Sequence, residues 1–186
     1  MASDTETTRA VIAQLRALRA VRQFRPDPVP DAVLEDVLEV ARWTGSARNV
    51  QPWEFVVVRD PAMLQALADT ESTAKHLAGA PLAIVLVMDG DPQRLVHETF
   101  DEGRLSERIQ LAAAAHGVGT CIGWFHATGL TEAKALLDVP SDRSVRTAIA
   151  LGYPAAAPRP PAARAQPGRK PRADLVHYER YGQRAP

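Results

Sequence analysis

Seven consecutive aliphatic residues, Leu82 to Met88, constrain this chain more than any other stretch, bounded as they are by Pro81 on one side and Asp89-Gly90 on the other. A strand with one wet face alternates apolar and polar residues, so a run without alternation reads as a strand covered on both faces. It is expected in the middle of a sheet. It is also far short of the ~20 apolar residues that cross a bilayer, so no transmembrane helix and no membrane partner is expected.

The rest of the chain supplies what would cover such a strand. Val11, Leu15 and Leu18 fall at helical spacing, predicting an amphipathic helix from about Thr8 to Arg19 capped by Thr7 or Thr8. Asp27-Pro28-Val29-Pro30-Asp31 interrupts the chain. Val33, Leu34, Val37, Leu38 and Ala41 then form the apolar stripe of a second helix. Residues 44–52 read as a loop entering a strand from Glu54 to Arg59, and Asp60-Pro61 opens a short helix to about Asp69. The longest helix is expected from about Leu95 to His116, with Leu105, Ile109, Ala112 and His116 at helical spacing. Gly117-Val118-Gly119 ends it, Thr120 to Phe125 forms a strand, Thr131 caps a helix through Leu137, and Val145 to Leu151 is a last core strand. Helices alternating with strands give a mixed α and β class, with helices packed on one sheet. No repeat or boundary divides residues 1–186, so one domain is expected. Its 154–172 segment is too rich in proline for helix or central strand and is read as an extended arm.

Twenty-two basic side chains balance twenty-two acidic ones, so no global field draws in nucleic acid, and no basic stripe with interleaved aromatics is present. Any anion must be bound locally. The single cysteine, Cys121, has no internal disulfide partner, and no N-terminal apolar stretch follows a basic start, which makes the cytoplasm the expected location. The five histidines lack metal-ligand spacing, so no metal is expected. Gly117 to Gly123 is no dinucleotide fingerprint, because the order is helix, glycines, strand rather than strand, glycines, helix. Cys121 in an apolar strand reads as a small buried side chain. Taken alone, Arg19 and Arg22 read as surface charges, and Ser46 to Gln51 as a polar loop.

Together these segments are more specific. Arg19-Ala20-Val21-Arg22-Gln23-Phe24 resembles the R-S-x-R-x-F opening of the nitroreductase family. Ser46-Ala47-Arg48-Asn49-Val50-Gln51-Pro52-Trp53 resembles its S-x-x-N-x-Q-P-W signature at the expected separation. The alanine-rich helix into Gly117-Val118-Gly119-Thr120-Cys121-Ile122-Gly123 is similar to its A-x-x-x-G-L-G-x-C-x-I-G stretch. Leu151-Gly152-Tyr153-Pro154, the proline-rich arm, Arg169-Lys170-Pro171 and His177-Tyr178-Glu179-Arg180-Tyr181-Gly182 resemble its tail.

The resemblance implies an α+β fold with a mixed, mostly antiparallel central sheet flanked by helices, and a C-terminal arm exchanged in a homodimer. It implies FMN at each of two equivalent interface sites, and hydride passed from NADH or NADPH through the flavin to a small-molecule electron acceptor in ping-pong fashion. Arg19 and Arg169, with Lys170 in support, are the implied phosphate ligands, matching guanidinium forks to phosphate oxygens. Arg22 is the implied cation beside the part of the ring that gains negative charge on reduction. Asn49 would bond the ring's polar edge, Ser46 and the backbone of Ala20 and Val21 would line it, and Cys121, Ile122 and Gly123 would lie beside the ring. No side-chain acid or base is demanded, since the flavin carries the chemistry. Ala20 stands where the family often has serine, removing one hydrogen bond to the cofactor. The 89–104 segment is brief and charged, leaving an open approach for substrate. Relatives on the same scaffold oxidise azolines, dehalogenate or consume the flavin, and a non-catalytic flavin-binding protein is a further reading.

Overall fold

All seven residues of β2 (Leu82–Met88) are buried, and the strand lies inside a four-stranded sheet of order β1-β2-β4-β3. Its neighbours are β1 (Trp53–Val58) and β4 (Ser144–Gly152), and β3 (Gly119–Trp124) forms the edge beyond β4. The structure, a computed structural model, describes residues 4–155 and 169–184. It divides into two compact units, residues 1–156 and 157–186, and the sheet belongs to the first.

Every strand pairing is antiparallel, in registers such as Val85 opposite Val56 and Ile122 opposite Ile149. Alternate residues of β2 serve two different cores. Leu82, Ile84, Leu86 and Met88 pack with α2 (Asp31–Arg42) and α4 (Leu95–Ala115), through Leu34, Val37, Leu105 and Ile109. Ala83, Val85 and Val87 pack on the other face with α3 (Pro61–Thr70) and α5 (Ala127–Leu136), through Leu64, Leu67 and Ala133. Asp60 caps α3 as its sequence suggests, accepting from the N–H groups of Ala62 and Met63 at 3.3 and 3.2 Å. The 21-residue α4 is the longest helix. It stops at Gly117, whose φ of +71° suits glycine, while the Val118 N–H reaches back to the Ala113 carbonyl at 3.0 Å.

Two local expectations are corrected, and one segment without an expectation takes shape. The first helix, α1, spans Asp4–Ala17, so Thr7 and Thr8 lie inside it and Arg19 lies beyond its end. Thr131 lies inside α5, which starts at Ala127 because Gly129 lets its first turn close on α3; a Cβ there would sit 2.8 Å from the Thr70 carbonyl oxygen. Residues Ser72–Gly79, which carry no apolar period, form a 3₁₀ segment packed under β3.

The charged 89–104 stretch is largely folded into α4 and turns three acids inward. Glu98 accepts from the N–H groups of Gly90 and Asp91 at 3.0 and 3.2 Å, and Asp101 and Glu102 are each 2 % exposed. Arg146 from β4 brings Nη2 to 2.6 Å from Glu102 Oε2. The pair meets as an ion pair without hydrogen-bond alignment. Burial, only partly opposed by Arg146, pushes the Glu102 carboxyl above its ordinary range.

After α1 the chain runs along the free side of β3. Ala20 bridges Thr120 in parallel, and the Val21 N–H donates to the Thr120 carbonyl at 2.8 Å. Phe24 bridges Pro154 in the antiparallel sense, with Arg25 N–H on the Tyr153 carbonyl at 2.8 Å. In the second unit, a 3₁₀ turn at Arg172–Asp174 leads to a loop in which the Gly182 N–H donates to His177 Nδ1 at 3.0 Å. The His177 and Tyr181 rings lie 4.4 Å apart.

Two outcomes follow from this packing. A Cβ at Gly119 would sit 2.6 Å from Val21 Cγ2, so Gly119→Ala is expected to lift the 20–21 segment from β3. The Val21 amide should then exchange faster in hydrogen-exchange NMR while the β3–β4 amides keep their protection, at a cost of about 1–3 kcal/mol. Arg146→Met strands the Glu102 charge and should cost about 3–5 kcal/mol at neutral pH in denaturant unfolding. The native carboxyl holds its proton to higher pH than the unfolded one. The loss should therefore shrink as pH falls toward the ordinary carboxyl range and grow as pH rises through the folded value. Glu102→Leu combined with Arg146→Leu should recover most of it.

Candidate functional site

The edge strand β3 offers backbone that the rest of the sheet has used up. The Phe125 N–H donates to the Arg146 carbonyl at 2.7 Å, and in an antiparallel ladder this parity turns the backbone groups of Cys121 and Gly123 toward β4. Thr120, Ile122 and Trp124 therefore turn theirs to the free side. Thr120 is taken by Val21, and the Trp124 carbonyl accepts from Thr73 Oγ1 at 2.5 Å. Between them, the Ile122 N–H has no backbone partner among the described residues.

Arg22 follows the residue bonded to the Thr120 carbonyl. Its guanidinium is close enough to act electrostatically on both Cys121 and His76. Burial pushes the Cys121 thiol up and Arg22 pulls it down by less, which keeps it a neutral thiol in a wall and not a nucleophile. His76, from the 3₁₀ segment, places Nε2 at 3.2 Å from the Cys121 carbonyl oxygen. Burial lowers its pKa, the bond to Cys121 works against that, and Arg22 lowers it further. Arg19 sits just past α1, where its Nη1 donates to the carbonyls of Arg16 and Leu18 at 2.8 and 2.7 Å. These bonds hold its guanidinium against the negative end of the helix.

Ile122 and Trp124 also line a cavity of about 290 Å³ with Glu102, Ser106, Gln110 and Thr147. The Thr120 hydroxyl reaches Gln110 Oε1 at 3.4 Å behind it. The wall is thus apolar at the strand and polar along α4.

The structure brings Ala20, Val21 and Arg22 together with Cys121, Ile122 and Gly123. Ser46 and Asn49 stay in their own loop. Ser46 Oγ accepts from the Gln51 N–H at 2.8 Å, and the Gln51 side chain donates to the Asn49 carbonyl at 3.2 Å. Arg48, Asn49 and Gln51 have φ of 57°, 55° and 53°, a left-handed run that non-glycine residues adopt at a cost. Strain of this kind concentrates at working loops. Arg169 and Lys170 are exposed at the start of the described part of the second unit, and the arm residues 156–168 lie outside the described residues.

Sequence reasoning missed His76 and Thr73. Neither stands in a motif, and their segment has no helical or strand period. Their signal is three-dimensional: the 3₁₀ segment lies close beneath β3, where a Cβ at Gly123 would come within 3.4 Å of Ala74 Cα. Among the described residues, no group of histidine, cysteine and carboxylate side chains could hold a metal, and no helix is long and apolar enough to cross a membrane.

Comparison with known proteins agrees with this geometry. The family model described as the nitroreductase family matches residues 15–73, which include both the Arg19–Phe24 and Ser46–Trp53 segments. An NADH dehydrogenase of Thermus thermophilus is 34% identical over 170 residues, covering 74% of this chain and 83% of that protein. A 5,6-dimethylbenzimidazole synthase of Rhodospirillum rubrum is 28% identical over 166 residues, covering 73% of this chain and 78% of that one. Among solved structures, an FMN-dependent nitroreductase of Clostridium difficile superposes with a TM-score of 0.77 at 24% identity, covering 91% of this chain and 99% of the other, a likeness of fold. With the edge-strand geometry, the family match and the Thermus relative in agreement, the chain belongs to the nitroreductase family.

Proposed function

We propose that this chain is an FMN-dependent oxidoreductase that takes hydride from NADH or NADPH and delivers it to a nitro-aromatic, quinone or similar small acceptor. The observation that carries this reading is the Ile122 N–H on the free side of β3, with Arg22 near enough to act on the neighbouring Cys121 thiol and on His76. A flat ring with polar edges fits such a gap: Gly123 has no side chain, the strand presents a donor, and the cation sits where a reduced ring gains negative charge. When bound, FMN supplies the two-electron hydride chemistry.

The chain's own residues bind and orient. Arg19 is already aligned by the end of α1 and, with Arg169 and Lys170, holds the phosphate. Val21 and Ala20 fix the near wall through Thr120. Among the described residues, no hydrogen bond joins the Ser46–Gln51 loop to β3 or to the 20–22 segment. In this reading Ser46 and Asn49 reach the ring across a homodimer interface, from the second copy's loop. The domain is single, with residues 154–172 as its arm. Donor and acceptor then enter in turn, the ping-pong order.

A second reading on the same scaffold has the flavin consumed as a substrate, and the Rhodospirillum relative, named a 5,6-dimethylbenzimidazole synthase, shows that relatives of this chain are not all named for reductase activity. The two readings separate by mass spectrometry of the flavin after turnover with each nicotinamide: intact FMN supports the first, fragments the second.

Purified protein is expected to be yellow, and anaerobic NADH or NADPH should bleach it rapidly in stopped flow. Removing one guanidinium from a phosphate loses about 2 kcal/mol, so Arg19→Ala should weaken FMN roughly thirtyfold in fluorescence titration. Arg169→Ala should do the same. Colourless protein that FMN cannot reconstitute would overturn the proposal.

A further inference from the structure

We propose that His76 is a positioning residue that fixes and polarises a backbone donor on the free side of β3, the Ile122 N–H. The inference rests on the reading that a flavin ring lies at that edge. A carbonyl oxygen only accepts, so the 3.2 Å contact between His76 Nε2 and the Cys121 oxygen makes Nε2 the donor and assigns the proton to that nitrogen. The ladder already turns this carbonyl toward Ala150, its partner on β4. A carbonyl has two lone pairs, and His76 takes the second.

The consequence appears at the other end of the same peptide unit. The Cys121–Ile122 peptide is trans, so a carbonyl facing β4 places the Ile122 N–H on the opposite, free side. Two hydrogen bonds on the oxygen lock the peptide plane, and they draw electron density away from the nitrogen, making its N–H a stronger donor. Thr73 Oγ1 on the Trp124 carbonyl pins the strand two residues further on. His76 and Thr73 come from one 3₁₀ segment, so a single element sets both ends of the exposed edge.

The charged group that faces His76 is Arg22, which, with burial, favours the neutral ring. A neutral Nε2–H histidine donates to Cys121 without placing a second positive charge beside Arg22. Its role is thus separate from that of Arg22, which contributes charge, and from those of Arg19, Arg169 and Lys170 at the phosphate.

The test compares wild type with His76→Gln, whose side-chain amide can replace the Nε2 donor, and with His76→Phe and His76→Asn. Phenylalanine lacks the donor, and asparagine is too short to reach Cys121. In flavin-free protein, the Ile122 amide proton should move upfield in the Phe and Asn variants and stay near its wild-type shift in the Gln variant. With FMN bound, the Phe and Asn variants should lose about tenfold in affinity for reduced relative to oxidised flavin, a fall of ~30 mV in midpoint potential for a two-electron couple. The Gln variant should hold the wild-type potential. Should His76→Phe not fold, the Asn variant carries the same comparison with a polar side chain at this half-buried position. FMN bound to wild type, with unchanged amide shifts and potentials in the donor-less variants, would overturn the role of His76 alone. Failure of wild type to bind FMN would overturn the functional reading beneath it.

Discussion

Burial of β2 on both faces is the constraint from which the rest follows. Its residues alternate between two separate cores, one with α2 and α4 and the other with α3 and α5. Neither sheet face can then open to a planar ligand without emptying a core, and large-to-small changes there cost about 2–5 kcal/mol each. A flat ligand is left only the edges. Of the two edges, β1 ends beside Asp60 and α3, whereas β3 is edged by glycines and carries the unclaimed donor.

An open strand edge is a hazard as well as an opportunity, because unpaired N–H and carbonyl groups invite pairing with another chain. Here the hazard is limited by covering the edge in pieces. The 20–21 segment occupies the Thr120 carbonyl and Thr73 the Trp124 carbonyl, with the Ile122 N–H between them. Gly119 permits the first contact, since any side chain there would meet Val21, and the 3₁₀ segment lies against Gly123 on the other side. The gap is therefore a product of packing on both sides of β3.

What the sequence made legible was what local pattern determines. Leu82 to Met88 could be read as an interior strand because no polar residue breaks it, and α2 because its stripe keeps helical period until Ala41. Asp60-Pro61 carries its own capping chemistry. Thr131 misled because capping propensity is a weak local preference, and the packing of Gly129 against Thr70 outweighs it. The Ser72–Gly79 segment was illegible for a different reason: 3₁₀ turns have no amphipathic signature of their own, and the value of His76 and Thr73 lies in residues about fifty positions away. The inward turn of the α4 acids was illegible as well. Glu98 and Glu102 look like a solvated face until Gly90, Asp91 and Arg146 are seen around them.

Charge shows the same difference between a total and an arrangement. The chain is neutral, yet residues 157–186 hold seven of its twenty-two basic side chains and only two of its twenty-two acidic ones. Residues 1–156 are acidic by the same margin. Neutrality overall excludes a general affinity for polyanions, but it says nothing against a local cationic site, and a field inside one short segment acts over about 8–10 Å before salt screens it. A phosphate of roughly two negative charges needs no more than that. Within residues 1–156, Arg19 is anchored by backbone carbonyls, while Arg146 and Arg143 are committed to Glu102 and Glu54 and are not available to an anion.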